Sequence, residues 1–200
     1  MNALDFSQVG AGFSDTALGS QAVFRIALEA MSRPGTIQTV QCDADMPLGV
    51  DPAACALLLA LLDQDTKLWL SPSIAATPSA SYLRLHTGCT FVDASQACDF
   101  AWVGHVRELP ALSAFAQGTD EYPDRSATCV IQVAALEEGF GWTLAGPGIL
   151  GSAKVAVPEL NGNFAAQWSQ NHVAFPCGID VFLTSGERLL GLPRTTRIES

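Results

Sequence analysis

Basic side chains are scarce in this chain. Its 200 residues hold 10 Lys and Arg against 20 Asp and Glu, a formal charge of −10, and its lysines are Lys67 and Lys154. Nucleic-acid binding depends on a basic surface that displaces counterions from phosphates, and anionic membranes attract the same kind of surface. The composition therefore excludes nucleic acids and membrane surfaces as partners.

The chain also lacks the sequence patterns of metal-binding, disulfide-rich and membrane proteins. Its six cysteines are scattered, with no C-x-x-C pair and no histidine at metal-ligand spacing. We predict that they are reduced core residues, and we expect no metal site. The longest apolar run, Ala53–Leu62, is too short to cross a bilayer, and the first residues carry no signal-peptide pattern. These observations predict a cytoplasmic protein.

What the chain does contain is largely apolar. Hydrophobic residues make up 48% of it and charged residues only 15%, so we expect an oligomer or a subunit of a complex, with apolar surface covered by a partner. The length predicts one domain. We predict a flexible N-terminal arm over residues 1–15 and a single α/β domain over residues 16–200.

Helical and strand patterns alternate along the chain. Thr16–Met31 has apolar residues at helical spacing and ends before Pro34-Gly35, and Asp51-Pro52 begins an apolar helix that reaches Leu62. Further helices are predicted at 77–86, 110–115 and 162–170. Strands are predicted at 37–40, 67–70, 90–92, 100–103 and 154–157, and a hairpin joins 127–135 to 140–145. This order predicts an α/β sandwich with a mixed sheet.

A glycine-rich segment, Gly146–Gly151, satisfies the G-x-G-x-x-G pattern after a predicted strand. A phosphate-binding fingerprint needs a helix directly after the glycines, because the free N–H groups of its first turn bind the anion. The residues that follow Gly151 form a poor helix and soon reach Pro158, so no such fingerprint is present. The segment is a sharp loop whose amides either contact a ligand, through Gly146 and Gly148, or merely connect two strands.

The segment Phe175–Thr196 carries the strongest functional signal. It predicts two strands joined by a Gly186-Glu187 turn, with Asp180 in the first strand. Pro193 ends the second strand, and Arg194, Thr195 and Thr196 follow it. The planar guanidinium of arginine matches phosphate and phosphonate oxygens, since it donates two parallel hydrogen bonds. The alternative is an arginine with no ligand, exposed or paired with Asp180.

No residue is identified as catalytic. The three histidines, His86, His105 and His172, lie in separate regions, and no nucleophile or zinc-protease motif accompanies them. Arg25, on the first predicted helix, is either a surface cation or an additional anion contact. Catalytic residues are therefore unassigned at this stage.

Several blocks together resemble the PhnH family, the H subunit of the bacterial carbon–phosphorus lyase system. Their order, from about residue 20 to the end, makes the resemblance specific although each is short. The blocks are Phe24-Arg25, Ala30–Gly35, Leu61–Thr66, Trp69-Leu70, Leu83–Gly88, Gly118–Thr128, Gly146–Ile149, Phe175–Asp180 and Leu192–Thr196.

The resemblance implies a role in phosphonate catabolism. In that system the G, H, I and L subunits are associated with transfer of the ribose triphosphate of ATP to an alkylphosphonate, with release of adenine. The resemblance also implies a homodimer, a complex with the G, I and J subunits, and an αβα sandwich similar to pyridoxal-phosphate-dependent transferases but without that cofactor. The scarcity of lysine agrees, since neither Lys67 nor Lys154 has the setting of a Schiff-base residue.

Two functions are consistent with these features. In the first, the chain binds a phosphorylated ligand, with Arg194 holding the anion and other groups assisting. The assisting residues would be Thr195, Thr196, Gly146, Gly148, Arg25 and Asp180. In the second, the chain is a non-catalytic scaffold subunit, and Arg194 and Asp180 form an internal ion pair. Exposure distinguishes the two, because a ligand-binding arginine must face a cavity and a structural one is fully paired.

Overall fold

Two sheets are formed by the residues that the computed structural model describes, which are 10–160 and 162–199. In chain order the strands are β1 (Gln38–Thr39), β2 (Lys67–Leu70), β3 (Thr90–Phe91), β4 (Phe100–Val103), β5 (Thr128–Gln132), β6 (Glu137–Ala145), β7 (Ala153–Ala156), β8 (Asp180–Ser185), β9 (Arg188–Leu192) and β10 (Arg197–Glu199). The larger sheet has the order β1-β9-β8-β5-β4-β2-β3, and the smaller one has the order β10-β6-β7.

The larger sheet is mixed, as the sequence predicts. Strands β8, β5, β4, β2 and β3 run parallel, whereas β9 is antiparallel to both β8 and β1. In the register, Thr128 of β5 lies beside Asp180 of β8, and Val181 lies beside Leu192 of β9. The α/β class with a mixed sheet is therefore confirmed.

Helices cover the sheet, and their bounds lie near the predicted ones. They are α1 (Thr16–Ser32), α2 (Pro52–Leu61), α3 (Pro72–Ala75), α4 (Ser79–Thr87) and α5 (Gly162–Val173). The side chain of Asp15 accepts a hydrogen bond from Leu18 N at the start of α1, at 3.0 Å. Helix α3 was not predicted, because a single turn is too short to show helical periodicity in the sequence. The helix expected at 110–115 is a 3-10 turn, Leu112–Ala114.

Alternate side chains of the large sheet enter two separate cores. Trp102, Val130 and Phe182 join the core beneath α1, α2 and α4, where the side chains of 53–59 in α2 are all buried. Val103 and Ile131 point to the opposite face, which is covered by α5 and the small sheet. The described residues thus form three layers, the third of which combines a helix with a sheet.

The predicted hairpin of 127–135 with 140–145 is wrong. Strand β5 pairs with β4 and β8, both parallel, while β6 pairs with β7 and β10 in the small sheet. The cause lies in β5, whose Cys129, Val130 and Ile131 are fully buried. Consecutive buried residues are typical of a central parallel strand rather than of a hairpin arm with one solvated face. The residues expected to form the turn, 137–139, belong to β6.

Residues 10–15 of the predicted arm contact the domain. The carbonyl oxygen of Ala11 accepts hydrogen bonds from Asp45 N at 2.9 Å and from the Tyr82 hydroxyl at 3.2 Å. His86 Nε2 lies 3.0 Å from the carbonyl oxygen of Gly10, and Phe13 is buried in the helical core. Residues 1–9 of the predicted arm lie outside the described residues.

All six cysteines are free thiols. Cys55, Cys89, Cys98 and Cys129 are buried, as predicted, whereas Cys42 is exposed and Cys177 is half-buried. Burial raises the pKa of Cys55 to about 12 and that of Cys98 to about 11, so these thiols stay protonated and unreactive. No helix among the described residues has the length and apolarity needed to span a membrane.

Helix α1 lies directly on β9 at Gly191, and this contact is testable. A Cβ atom at Gly191 would lie 2.5 Å from the carbonyl oxygen of Ala30 and 2.8 Å from Met31 N. Gly191→Ala should therefore lower the free energy of unfolding by about 1–3 kcal/mol, because backbone must move. Urea denaturation measures the change.

The matched control is Gly162→Ala, since a Cβ atom there meets nothing within 4 Å. Alanine in place of a helical glycine should leave stability unchanged or raise it by up to about 1 kcal/mol. Equal losses in the two variants would contradict the close approach of α1 and β9.

Candidate functional site

Arg194 and Asp180 come together at one end of the β8–β9 hairpin. Asp180 is the first residue of β8, and Arg194 follows the last residue of β9 by two positions. Because the strands are antiparallel and joined by a tight Gly186-Glu187 turn, their outer ends lie side by side. The predicted hairpin is confirmed, and its two polar residues form an ion pair.

Every N–H of the Arg194 guanidinium has an acceptor within the protein. Nε donates to Asp180 Oδ1 at 3.2 Å, and one terminal nitrogen donates to Asp180 Oδ2 and Ser126 Oγ, both at 2.5 Å. The other terminal nitrogen donates to the carbonyl oxygens of Pro123 and Pro176 at 3.1 and 3.2 Å. An arginine has five such donors, so none is left for a ligand.

These bonds join three separate segments of the chain. The backbone N of Arg194 also donates to Asp180 Oδ1 at 2.8 Å, and its carbonyl oxygen lies 3.0 Å from His172 Nδ1. The side chains of Arg194 and Asp180 are only 13% and 25% exposed. We call Arg194, Asp180, Ser126 and the carbonyl groups of Pro123 and Pro176 the arginine cluster.

Three of the remaining predicted ligand residues, Thr195, Thr196 and Gly146, lie beside this cluster without joining it. Thr195 is half-buried, whereas Thr196 is fully buried, its hydroxyl has no partner, and its carbonyl oxygen accepts a hydrogen bond from Trp168 Nε1 at 2.8 Å. A Cβ atom at Gly146 would lie 2.9 Å from the carbonyl oxygen of Thr195. The glycine loop therefore packs on the backbone of 195–196.

Gly148 and Arg25 lie elsewhere. Gly148 has φ +82°, and a Cβ atom there would lie 2.0 Å from the carbonyl oxygen of Ser32, so the loop also touches the end of α1. The loop leads into β7 rather than into a helix, which confirms that it lacks the context of a phosphate-binding fingerprint. Arg25 is exposed on α1 and takes no part in the hydrogen bonds of the arginine cluster.

Two apolar depressions flank the cluster. One, of about 360 Å³, is lined by Phe175, Pro176, Pro193, Arg194 and Thr195 among others. The other, of about 280 Å³, lies between α1 and the amino ends of the parallel strands. We call the second one the α1 groove; its lining residues are Phe24, Ala27, Leu28, Met31, Leu61, Phe100, Thr128, Asp180, Phe182 and Pro193.

The sequence did not indicate that the Tyr122–Ser126 loop lies beside Arg194. In the structure this loop contributes two hydrogen-bond acceptors to the cluster, the Pro123 carbonyl oxygen and Ser126 Oγ. One signal could have located it. Ser126 shortly precedes β5, Asp180 begins β8, and neighbouring parallel strands place their first residues at the same edge of a sheet. The pairing of β5 with β8 could not be read from the chain, because some 50 residues separate them.

Among the described residues, no group of three or more His, Cys, Asp or Glu side chains is arranged to hold a metal ion. The chain is thus an α/β protein with a mixed sheet, and Arg194 of the arginine cluster is hydrogen-bonded to acceptors of the same chain.

The family model for bacterial phosphonate metabolism protein (PhnH) matches residues 11–199, and the chain belongs to this family. It is 38% identical over 194 residues to the alpha-D-ribose 1-methylphosphonate 5-triphosphate synthase subunit PhnH of Rhizobium meliloti (strain 1021), covering 96% of this chain and 97% of that protein. It is 32% identical over 179 residues to the putative C-P lyase subunit protein HtxG of Stutzerimonas stutzeri, covering 89% and 85%. The resemblance seen in the sequence is thus confirmed.

The arginine cluster predicts a large effect of removing its carboxylate. Asp180→Asn leaves a guanidinium that is largely shielded from water without its counter-charge. We expect the free energy of unfolding to fall by about 2 kcal/mol, less than for a fully buried pair because both side chains keep some solvent contact. Chemical denaturation measures this loss.

The control is Glu29→Gln, which removes the exposed Arg33–Glu29 pair, whose side chains are 68% and 43% exposed. That variant should lose about 0.5 kcal/mol or less. Similar small losses in both variants would show that the cluster contributes no more than a surface ion pair.

Proposed function

We propose that this chain is a subunit of a carbon–phosphorus lyase assembly that serves phosphonate catabolism. Its relatives carry the names of subunits of alpha-D-ribose 1-methylphosphonate 5-triphosphate synthase and of C-P lyase. Within such an assembly the chain supports the transfer of ribose triphosphate from ATP to an alkylphosphonate, with release of adenine. Membership of the family over 11–199 and relatives matched over nearly their whole length support this proposal.

The role that the geometry favours within the assembly is that of a non-catalytic scaffold. The observation that carries this proposal is the saturation of Arg194, whose five donors all bind acceptors of the chain itself. Phosphate or phosphonate would have to displace Asp180 or a carbonyl group from the guanidinium. The cluster also lies at the amino ends of the parallel strands, and ligands of open α/β sheets bind at the carboxyl ends.

A scaffold needs a surface for its partners, and we propose the α1 groove for a second copy of this chain. Phe24 and Leu28 are 44% and 53% exposed on α1, although Val23, Ala27 and Ala30 of the same helix are buried. Apolar side chains outside the buried face of a helix are typical of an interface. If the dimer interface covers the α1 groove, the homodimer is expected to contact the G, I and J subunits through its other surfaces.

The test of this surface is Leu28→Glu, which places a charge in the groove. We expect self-association to weaken about tenfold or more, because a buried charge is strongly disfavoured in an interface core. Light scattering coupled to gel filtration measures the dimer. Ala22→Glu is the matched control, since Ala22 is exposed on the same helix and does not line the groove. Equal behaviour of the two variants would remove the groove as the dimer contact.

Ligand binding at the arginine cluster is the second candidate function. One observation favours it, namely that Arg194 and Thr195 line the open depression of about 360 Å³. Under this proposal an anion occupies the depression, Arg194 exchanges a protein acceptor for it, and the hydroxyl of Thr195 contributes a further bond.

Thr195→Val separates the two functions while it leaves every contact of Arg194 in place. The scaffold proposal expects adenine release from ATP and methylphosphonate by the reconstituted subunits to stay within about twofold of wild type. A loss of about tenfold, which is the value of one hydrogen bond to a charged group, would establish the anion site. Gel filtration verifies that the variant assembles.

We also propose that the fold is similar to that of pyridoxal-phosphate-dependent transferases but that the chain does not bind this cofactor. The proposed location of the protein is the cytoplasm. Both lysines, Lys67 and Lys154, are exposed on strands. A Schiff-base lysine acts inside a cleft, where its amine meets the cofactor. The proposal expects no saturable imine absorbance at micromolar pyridoxal phosphate, beyond the weak background that exposed amines give with an aldehyde.

A further inference from the structure

A second cleft lies at the edge of the large sheet opposite to the arginine cluster. It has a volume of about 230 Å³, and the residues after the carboxyl ends of β4 and β5 form its floor. Its polar lining consists of Asp51, His105, Gln132 and Glu159. We call it the carboxyl-end cleft. None of its residues belongs to the arginine cluster or to the predicted ligand site.

The topology of the sheet makes this edge the expected place for a ligand. After β2 the chain passes through α3 and α4, which pack in the helical core, before it reaches β3. After β4 it crosses the opposite face on the way to β5, where Leu112 and Phe115 join the other core. Adjacent parallel strands β2 and β4 therefore send their connections to opposite faces, and such a switch point opens a crevice that binds ligands in open α/β sheets.

The crevice directly between β2 and β4 is filled by the chain. Ser71 Oγ accepts a hydrogen bond from Gly104 N at 3.0 Å, and Ser73 Oγ donates to Glu108 Oε2 at 2.5 Å. The open space thus lies one strand further along, above β4 and β5. The same bonds hold Gly104, and with it the start of the His105 segment, at the wall of the cleft.

Gln132 is held in one orientation at the floor of the cleft. Its Oε1 accepts hydrogen bonds from Trp102 Nε1 at 3.1 Å and from Asp51 N at 3.2 Å. Trp102 is fully buried, so this bond fixes the carboxamide. Both bonds use the oxygen, and the amide nitrogen of Gln132 has no hydrogen-bond partner among the described residues. It is a donor available to a ligand.

Asp51 does not cap helix α2 with its side chain, although it stands at the N-cap position. It is the N-cap residue of α2, yet its side chain makes no capping hydrogen bond and instead accepts one from Thr184 Oγ1 at 2.9 Å. Burial raises the pKa of the Asp51 carboxyl, while hydrogen bonds from Gly186 and Thr184 oppose that shift. A raised pKa in the folded state means that this group favours folding at low pH and that the contribution is lost as pH rises through the folded pKa.

Two further groups complete the lining. Glu159 Oε2 accepts a hydrogen bond from Ala134 N at 2.9 Å, which anchors the carboxylate above β5. His105 is exposed at the rim. The lining contains carboxylates that accept, a carboxamide that donates and an imidazole that does either, but no Arg or Lys. Phosphate and phosphonate groups are disfavoured by this set, whereas hydroxyl groups, which both donate and accept, match it.

We propose that the carboxyl-end cleft binds a small neutral polyhydroxylated compound, such as a pentose or the sugar portion of a larger molecule. Asp51 and Glu159 accept from its hydroxyls, and Gln132 donates to them. Any phosphate groups of the same molecule lie outside the cleft. This inference is independent of the scaffold role, because the two sites lie at opposite edges of the sheet.

The test is an NMR titration of the intact chain with D-ribose at millimolar concentrations. The resonances expected to shift are the side-chain amide of Gln132 and the backbone amides of Gly104 and Ala134. Asp51→Asn should weaken this binding about tenfold, because one oxygen acceptor of the carboxyl group is replaced by an amide group that can only donate. The amide oxygen of asparagine can still accept the hydrogen bond from Thr184 Oγ1, so the fold is retained.

Asp15→Asn is the matched control, since Asp15 occupies the same N-cap position on α1 and lies outside the cleft. Glu159→Gln is a second variant that keeps the proposal testable if Asp51→Asn unfolds, and it should weaken binding in the same way. The absence of ribose-induced shifts at the three residues overturns the proposal. So does a response of these residues to methylphosphonate or ethylamine but not to ribose, which would assign the cleft to an ion.

Discussion

The ion pair between Arg194 and Asp180 is the constraint on which one whole edge of the molecule depends. The pair joins the two outer ends of the β8–β9 hairpin, and the remaining donors of the guanidinium bind the Tyr122–Ser126 loop and the Phe175–Pro176 segment. A planar group with five donors can make all five of these hydrogen bonds at once, whereas a lysine has only three donors. Because all of its donors are used within the chain, the Arg194 guanidinium has none left to bind a ligand.

The two edges of the large sheet therefore differ in character. The amino edge carries an arginine bound within the chain and an apolar groove beside α1, a combination suited to assembly. The carboxyl edge carries an open cleft lined by oriented acceptors and donors. Binding sites of open α/β sheets form at the carboxyl edge because strand connections diverge there. Under the two proposals, this chain presents the amino ends of its strands to a partner and the carboxyl ends to a small molecule.

The sequence predicted local features better than pairings between distant segments. Helices α1 and α2 and the β8–β9 hairpin followed from caps, prolines and apolar spacing, all of which act over a few residues. The hairpin expected around 137–139 was wrong, because the partners of β5 come from β4 and β8. Arg194 and its pairing with Asp180 could be singled out from the sequence, but the partners Ser126, Pro123 and Pro176 depend on strand order. The carboxyl-end cleft was missed for the same reason, since Asp51, Gln132 and Glu159 meet only in the folded sheet.

We infer that Arg194 is a structural residue of an assembly subunit. The decisive measurement is an experimental structure of the reconstituted complex with nucleotide and methylphosphonate bound. We expect Arg194 to keep Asp180, Ser126 and the two proline carbonyl groups as its partners, with no phosphate or phosphonate oxygen within hydrogen-bond distance of it. An anion bound to the guanidinium, with Asp180 displaced, would instead make Arg194 a ligand-binding residue.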